Sequence, residues 1–95
     1  MKVIINNCFG GFSISDELER RLNLEGVWYD EDDIRTNPVA IAAVEENSNK
    51  ASGCCANLRV VEVPDEATDY MVTEYDGAET LYYVLDGKIH SCWEQ

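Results

Sequence analysis

Residues 70–93 read YMVTEYDGAETLYYVLDGKIHSCW, and this stretch decides the fold. Tyrosine, valine, threonine and leucine are frequent in it, as is typical of β-strands. The dipeptides Asp76-Gly77 and Asp86-Gly87 interrupt it, and each favours a two-residue type I′ hairpin turn. The sequence therefore predicts an antiparallel meander with strands over residues 70–76, 80–85 and 88–93.

The opening residues 2–8, KVIINNC, predict a further strand. Its apolar residues run together instead of alternating, which is typical of a central strand buried on both faces. Gly10 and Gly11 end this strand. Ser15, followed by two carboxylates, then predicts the start of a first helix that ends near Gly26.

The middle of the chain predicts an acidic loop, a second helix and a strand. Asp30, Glu31, Asp32 and Asp33 are consecutive carboxylates that repel one another, which favours a loop. Asn37-Pro38 is a typical helix start, with Gly53 as a left-handed stop. The apolar run before Pro64 predicts the next strand.

Ninety-five residues support one core, so we expect a single domain over residues 1–95. The predicted element order is β-α-α-β-β-β-β. This order indicates an α+β fold in which two helices pack on one face of a mixed, mainly antiparallel sheet.

The charge balance restricts the classes of partner. Seven basic residues against 19 acidic ones give a formal net charge of −12. Such a field repels nucleic-acid phosphates and anionic membranes and attracts basic protein surfaces. No apolar run reaches the ~20 residues of a membrane span. We therefore expect a cytoplasmic protein that binds neither nucleic acid nor membrane directly.

Acidic residues are concentrated in the predicted meander. Between Glu62 and Asp86 the chain has eight carboxylates and neither lysine nor arginine. Carboxylates at strand spacing, interleaved with tyrosines, can imitate the phosphate row of a duplex for a basic groove. Alternatively, they solvate one sheet face and protect the sheet edges. The predicted partner-binding residues are Glu74, Tyr75, Asp76 and Glu79, with the acidic loop of Asp30, Glu31, Asp32 and Asp33 in support.

A glycine-rich turn gives an alternative site. Gly10, Gly11 and Ser13 lie between a predicted strand and a helix start, where glycine backbones can bind phosphate. Two glycines alone are unspecific, and the carboxylates that begin the helix would repel a phosphate. The other interpretation is a structural turn flanked by packed Phe9 and Phe12 rings.

The cysteines and the single histidine predict no catalytic or metal site. Adjacent Cys54 and Cys55 cannot bridge each other without backbone strain, so we expect free thiols. His90 and Cys92 alternate on one strand face and could bind zinc with Cys8 or the cysteine pair, but a zinc ion needs three or four converging ligands. Nor does a third group orient a Cys–His pair for catalysis. We expect no enzyme activity, no metal and no cofactor.

Three segments resemble a family of small proteins encoded by bacteriophages and prophages: residues 2–17 (KVIINNCFGGFSISDE), residues 61–65 (VEVPD) and residues 74–77 (EYDG). The resemblance implies a phage setting and carries no catalytic residues. Small acidic phage proteins of this kind include inhibitors of CRISPR systems and other host defences.

These observations favour a non-enzymatic inhibitor whose acidic face binds the basic nucleic-acid-binding surface of a host protein, in the manner of an anti-CRISPR DNA mimic. One alternative is a small-ligand or nucleotide-signal binder that uses the turn at Gly10 and Gly11. The other is a phage accessory or assembly component that works by oligomerisation.

Overall fold

The computed structural model describes residues 1–92 and shows a small α+β fold. Trp93, the last residue of the predicted final strand, lies outside the described residues. The elements in chain order are β1 (Lys2–Asn6), α1 (Asp16–Arg21), α2 (Glu31–Arg35), α3 (Pro38–Glu46), α4 (Ser48–Ala51), β2 (Leu58–Glu62), β3 (Asp69–Tyr75), β4 (Ala78–Leu85) and β5 (Lys88–Cys92).

The strands form two separate sheets, so the prediction of one mixed sheet is wrong. β1 pairs only with β2, from Lys2 opposite Glu62 to Asn6 opposite Leu58. The other sheet has the order β3-β4-β5. Every strand pair in residues 1–92 is antiparallel. The two sheets are divided shortly after β2, where Pro64 has no N–H to continue a ladder.

β1 lies between two hydrophobic clusters. Ile4 belongs to the cluster that the helices cover, together with Leu18 and Leu58. Val3 and Ile5 belong to the cluster beneath the three-stranded sheet, together with Leu81. Both faces of the strand are therefore buried, which explains its uninterrupted apolar run.

The predicted meander turns are confirmed. Asp76 and Gly77 have φ angles of 51° and 91°, and Asp86 and Gly87 have φ angles of 53° and 74°. Both central residues of a type I′ turn require positive φ. The three strands of the meander pair in the predicted antiparallel order.

Both predicted helix starts are confirmed. The Ser15 hydroxyl accepts a hydrogen bond from the Leu18 N–H. Asn37 accepts hydrogen bonds from two backbone N–H groups, and Pro38 occupies the first helical position. The predicted ends are wrong: α1 ends at Arg21, five residues before Gly26, and α3 ends at Glu46. Asn47 then caps the short α4.

Gly53 does not adopt the left-handed conformation predicted for it. The left-handed glycines are Gly11, Gly26, Gly77 and Gly87. Gly53 instead permits close packing, because a Cβ there would collide with the side chain of Ser13.

The acidic segment is helical, so the predicted loop is wrong. The Asp30 side chain accepts a hydrogen bond from the Asp32 N–H, 3.0 Å away, and begins α2. The next three carboxylates lie in the first turn, where the free N–H groups of the helix favour negative charge. This attraction, together with Arg35 in the last turn, offsets their mutual repulsion. The chain therefore has four helices between β1 and β2.

No helix among residues 1–92 is long and apolar enough to span a membrane.

Candidate protein-binding site at the acidic end

The tip of the β3–β4 hairpin packs against the glycine-rich turn that follows β1. A Cβ at Gly77 would collide with the backbone nitrogen of Gly11. The Asn6 side-chain amide donates hydrogen bonds to the carbonyl oxygens of Gly77 and Cys8, each at 2.8 Å. Glycine is therefore required at position 77 by both the positive φ and the close backbone approach.

A buried ion pair joins this hairpin to α2. Arg35 Nη1 lies 2.8 Å from Glu79 Oε1, and Arg35 Nη2 lies 2.6 Å from Glu79 Oε2. Both side chains are only 6% exposed. Arg35 Nη1 also donates to the Ile4 carbonyl, and Glu79 Oε1 accepts the Asn6 N–H. The pair thus connects α2, β1 and β4 through charge-assisted hydrogen bonds.

The same guanidinium attracts two exposed carboxylates of α2. Glu31 and Asp32 lie 3.7 and 3.4 Å from it. Burial lowers the pKa of Arg35, but the hydrogen bond and charge of Glu79, with the charges of Glu31 and Asp32, outweigh this and raise the pKa overall. Arg35 therefore stays charged and holds the α2 carboxylates beside the hairpin.

We call the resulting surface the acidic end. The contacts of Arg35 place Glu31 and Asp32 of α2 near Glu79, which pairs across the hairpin with Glu74 close to the exposed tip. The carboxylates of the acidic end are Asp30, Glu31, Asp32, Asp33, Glu74 and Asp76, all in exposed residues.

Glu79 is not part of this exposed set, which corrects its predicted role in partner binding. It lies directly opposite Glu74 across the hairpin. Their mutual repulsion is relieved in two ways: Glu79 pairs with Arg35, and Glu74 Oε2 accepts the Gly77 N–H at 2.7 Å. Glu79 therefore positions the hairpin from inside.

The predicted row of carboxylates along a strand face is also wrong. On β3, Tyr70 and Val72 pack toward the second hydrophobic cluster. Since side chains alternate along a strand, Asp69, Met71, Thr73 and Tyr75 share the opposite, outer face. Only one of these four is acidic. The exposed carboxylates of the hairpin tip and of α2 lie outside this outer face.

Exposed aromatic rings accompany the acidic end. Tyr75, at the tip, is 76% exposed, and Phe9, next to the turn that receives Gly77, is 70% exposed. Trp28, three residues before α2, is 86% exposed. The sequence predicted packed rings at both Phe9 and Phe12, but only Phe12 packs, 4.4 Å from the Arg35 guanidinium carbon. No local pattern distinguishes these two phenylalanines.

The alternative site at Gly10, Gly11 and Ser13 is used for internal packing. A Cβ at Gly10 would collide with the Cys55 carbonyl oxygen. The Ser13 carbonyl accepts the Gly53 N–H at 3.0 Å. These contacts give the glycines a structural explanation that involves no bound phosphate.

The cysteines and the histidine do not converge into one group in the described part of the chain. All four cysteines are free. Cys92 donates a hydrogen bond to the Glu62 carbonyl, and burial raises its pKa. His90 stacks on Tyr83 with 5.2 Å between ring centroids. Within residues 1–92, no three His, Cys, Asp or Glu side chains converge as metal ligands.

Comparison with known proteins gives no match to a protein-family model, a curated protein or a solved structure.

Proposed function

We propose that this protein is a phage-encoded, non-enzymatic inhibitor that acts in the host cytoplasm. Its acidic end docks on the basic nucleic-acid-binding surface of a host protein. The observation that carries the proposal is the Arg35–Glu79 ion pair, because it joins two acidic segments distant in sequence into one surface. The phage origin rests on the sequence resemblance.

The chemistry of the acidic end suits a basic groove. Its carboxylates are supported by a helix and a tight turn, so little conformational entropy is lost when they are bound. Tyr75 and Phe9 supply exposed aromatic area, and aromatic residues are frequent hot spots in protein interfaces. The acidic end therefore presents both negative charge and aromatic rings to a basic groove.

The rest of the surface reinforces the negative field. Lys2 pairs with Glu45 at 2.8 Å, and Arg21 lies 3.8 Å from Glu46. These pairs neutralise basic side chains locally, while the formal net charge remains −12. Like charge of this size opposes self-association, which favours a basic partner over a second copy of the chain.

The proposal is tested by capture followed by competition. Tagged protein is incubated with a bacterial lysate at low salt, and bound proteins are eluted with a salt gradient. Each eluted nucleic-acid-binding protein is purified and mixed with a labelled DNA or RNA duplex. We expect the acidic protein to displace the duplex competitively and less effectively as salt rises. A ternary complex with the nucleic acid still bound would contradict the proposal.

A further inference from the structure

Cys54 and Cys55 form a preformed pair of exposed thiols that the proposed function does not use. Their sulfur atoms lie 3.5 Å apart. Both residues are exposed and both thiols are free. They are the central residues of a turn closed by a hydrogen bond from the Ala56 N–H to the Gly53 carbonyl, at 3.2 Å.

The surrounding contacts hold this turn in place. The Gly53 N–H donates to the Ser13 carbonyl, and Gly10 packs against the Cys55 backbone without room for a Cβ. Ser13 and Gly10 both belong to the segment between β1 and α1. The two sulfurs are therefore held close together before any ligand arrives, which lowers the entropic cost of binding both to one atom.

The reactivity of Cys55 and the geometry of the pair bear on the chemistry that the site favours. The hydrogen bond with Cys54 raises the pKa of the Cys55 thiol, and the charges of Cys54 and Cys8 act in the same direction. A thiol that stays protonated at neutral pH is a weak nucleophile toward simple alkylating agents. A disulfide between adjacent residues would in addition strain the backbone. The low reactivity of the protonated thiol and the strain of a disulfide between neighbours both disfavour oxidation. They favour a single ligand atom that binds both sulfurs.

We propose that Cys54 and Cys55 form a two-thiol site for trivalent arsenic. Sulfur is the soft ligand that thiophilic centres select. With an arsenous compound R–As=O, two As–S bonds form, the As=O bond breaks, and the oxygen leaves as water with both thiol protons. Arsenic stays trivalent, so no oxidant or reductant is needed, and the third valence of arsenic remains with R. No third protein ligand is required.

The test uses phenylarsine oxide and, in parallel, arsenous acid, with protein reduced by a phosphine that is then removed. Native mass spectrometry should show one arsenic per chain, and ethanedithiol should remove it. Because the second sulfur binds intramolecularly, Cys54→Ser and Cys55→Ser should each weaken binding by about 100-fold or more. Cys92→Ser and Cys8→Ser are the matched controls and should bind like the wild type.

Three results would overturn the proposal. They are the absence of an adduct on the wild type, equal binding by wild type and Cys54→Ser, and a loss with Cys8→Ser as large as that with Cys55→Ser. The last would show that three thiols are needed. Circular dichroism of each variant confirms that it is folded. Folding of the Cys54→Ser and Cys55→Ser variants is expected because both of these residues are exposed.

Discussion

Arg35 and Glu79, 44 residues apart in sequence, form a bidentate ion pair that is shielded from solvent. Phe12 packs on the guanidinium, and Asn6 and Ile4 supply backbone hydrogen bonds to the pair. The pair determines where α2 lies relative to the β3–β4 hairpin. The acidic end therefore depends on a contact between two oppositely charged residues that no partner would touch.

Replacing one member of this pair should destabilise the fold strongly. Glu79→Gln removes the buried counter-charge of Arg35 and leaves only the exposed carboxylates of Glu31 and Asp32 near it, so we expect a loss of about 3–5 kcal/mol in the free energy of unfolding. Urea denaturation followed by circular dichroism measures it. The matched control is Glu74→Gln, directly across the hairpin, which should cost below about 1 kcal/mol because the glutamine oxygen can still accept the Gly77 N–H.

A double variant separates the charge effect from simple loss of packing. In Arg35→Met/Glu79→Gln no unpaired charge remains, and glutamine can still accept the Asn6 N–H. We therefore expect the double variant to be less destabilised than the sum of the two single variants. Strictly additive losses would show that the two residues contribute independently.

The two glycine turns offer a direct comparison. Gly77→Ala and Gly87→Ala both place alanine at a positive φ, but only at Gly77 would the added Cβ meet other backbone. We expect Gly87→Ala to cost about 1 kcal/mol. Gly77→Ala should cost at least about 2 kcal/mol more, because the hairpin tip must move away from Gly11. Equal urea midpoints would mean that the tip does not pack there.

The two phenylalanines of the glycine-rich turn should behave differently. Phe9→Ala removes an exposed ring and should change stability by less than about 0.5 kcal/mol. Phe12→Ala removes the ring that packs on Arg35 and should cost about 1–3 kcal/mol. Thermal unfolding measures both. We also expect the exposed Phe9 ring to anchor the partner. Phe9→Ala should therefore weaken the affinity for a captured partner by at least about 10-fold.

Cys92 should make stability fall at alkaline pH. Burial raises its pKa in the folded chain, so the folded state retains the thiol proton at a pH where the unfolded state has lost it. This stabilisation is complete below about pH 8.5, where unfolded thiols begin to ionise, and is lost as the pH rises through the folded pKa. Urea midpoints from pH 7 to 10 should therefore fall more for wild type than for Cys92→Ser. Parallel curves would contradict this assignment.

Local signals predicted much of the fold. Ser15, Asn37-Pro38 and the two Asp-Gly turns each act within a few residues, so their roles could be inferred from sequence. In α2, where Asp30 caps a turn of carboxylates, the helix dipole outweighs the mutual repulsion of these side chains. The two effects are of similar size, so the sequence alone does not decide between a helix and a loop.

Long-range contacts could not be predicted in this way. Nothing near Glu79 in the sequence distinguishes it from Glu74, because its partner Arg35 belongs to a helix on the other side of β2 in the chain order. The pairing of β1 with β2, which forms a sheet of its own, likewise joins residues that are distant in the sequence. The burial of Glu79 and the exposure of Phe9 depend on such long-range contacts and could be seen only in the structure.

The central claim is that the acidic end binds a basic partner surface, and paired charge variants test it. Asp33→Asn/Asp76→Asn removes two charges from the acidic end. Glu66→Gln/Asp86→Asn removes two exposed charges from the opposite end of the three-stranded sheet. Asp76 and Asp86 also match in conformation, with φ of 51° and 53° as the first residues of Asp-Gly turns.

The decisive measurement is the affinity of both double variants for the captured nucleic-acid-binding protein across a range of salt concentrations. We predict that Asp33→Asn/Asp76→Asn weakens binding at low salt by at least about 10-fold and flattens its salt dependence, while the control changes it by less than about threefold. Equal effects from the two double variants would mean that only net charge matters. That result would contradict a binding site at the acidic end.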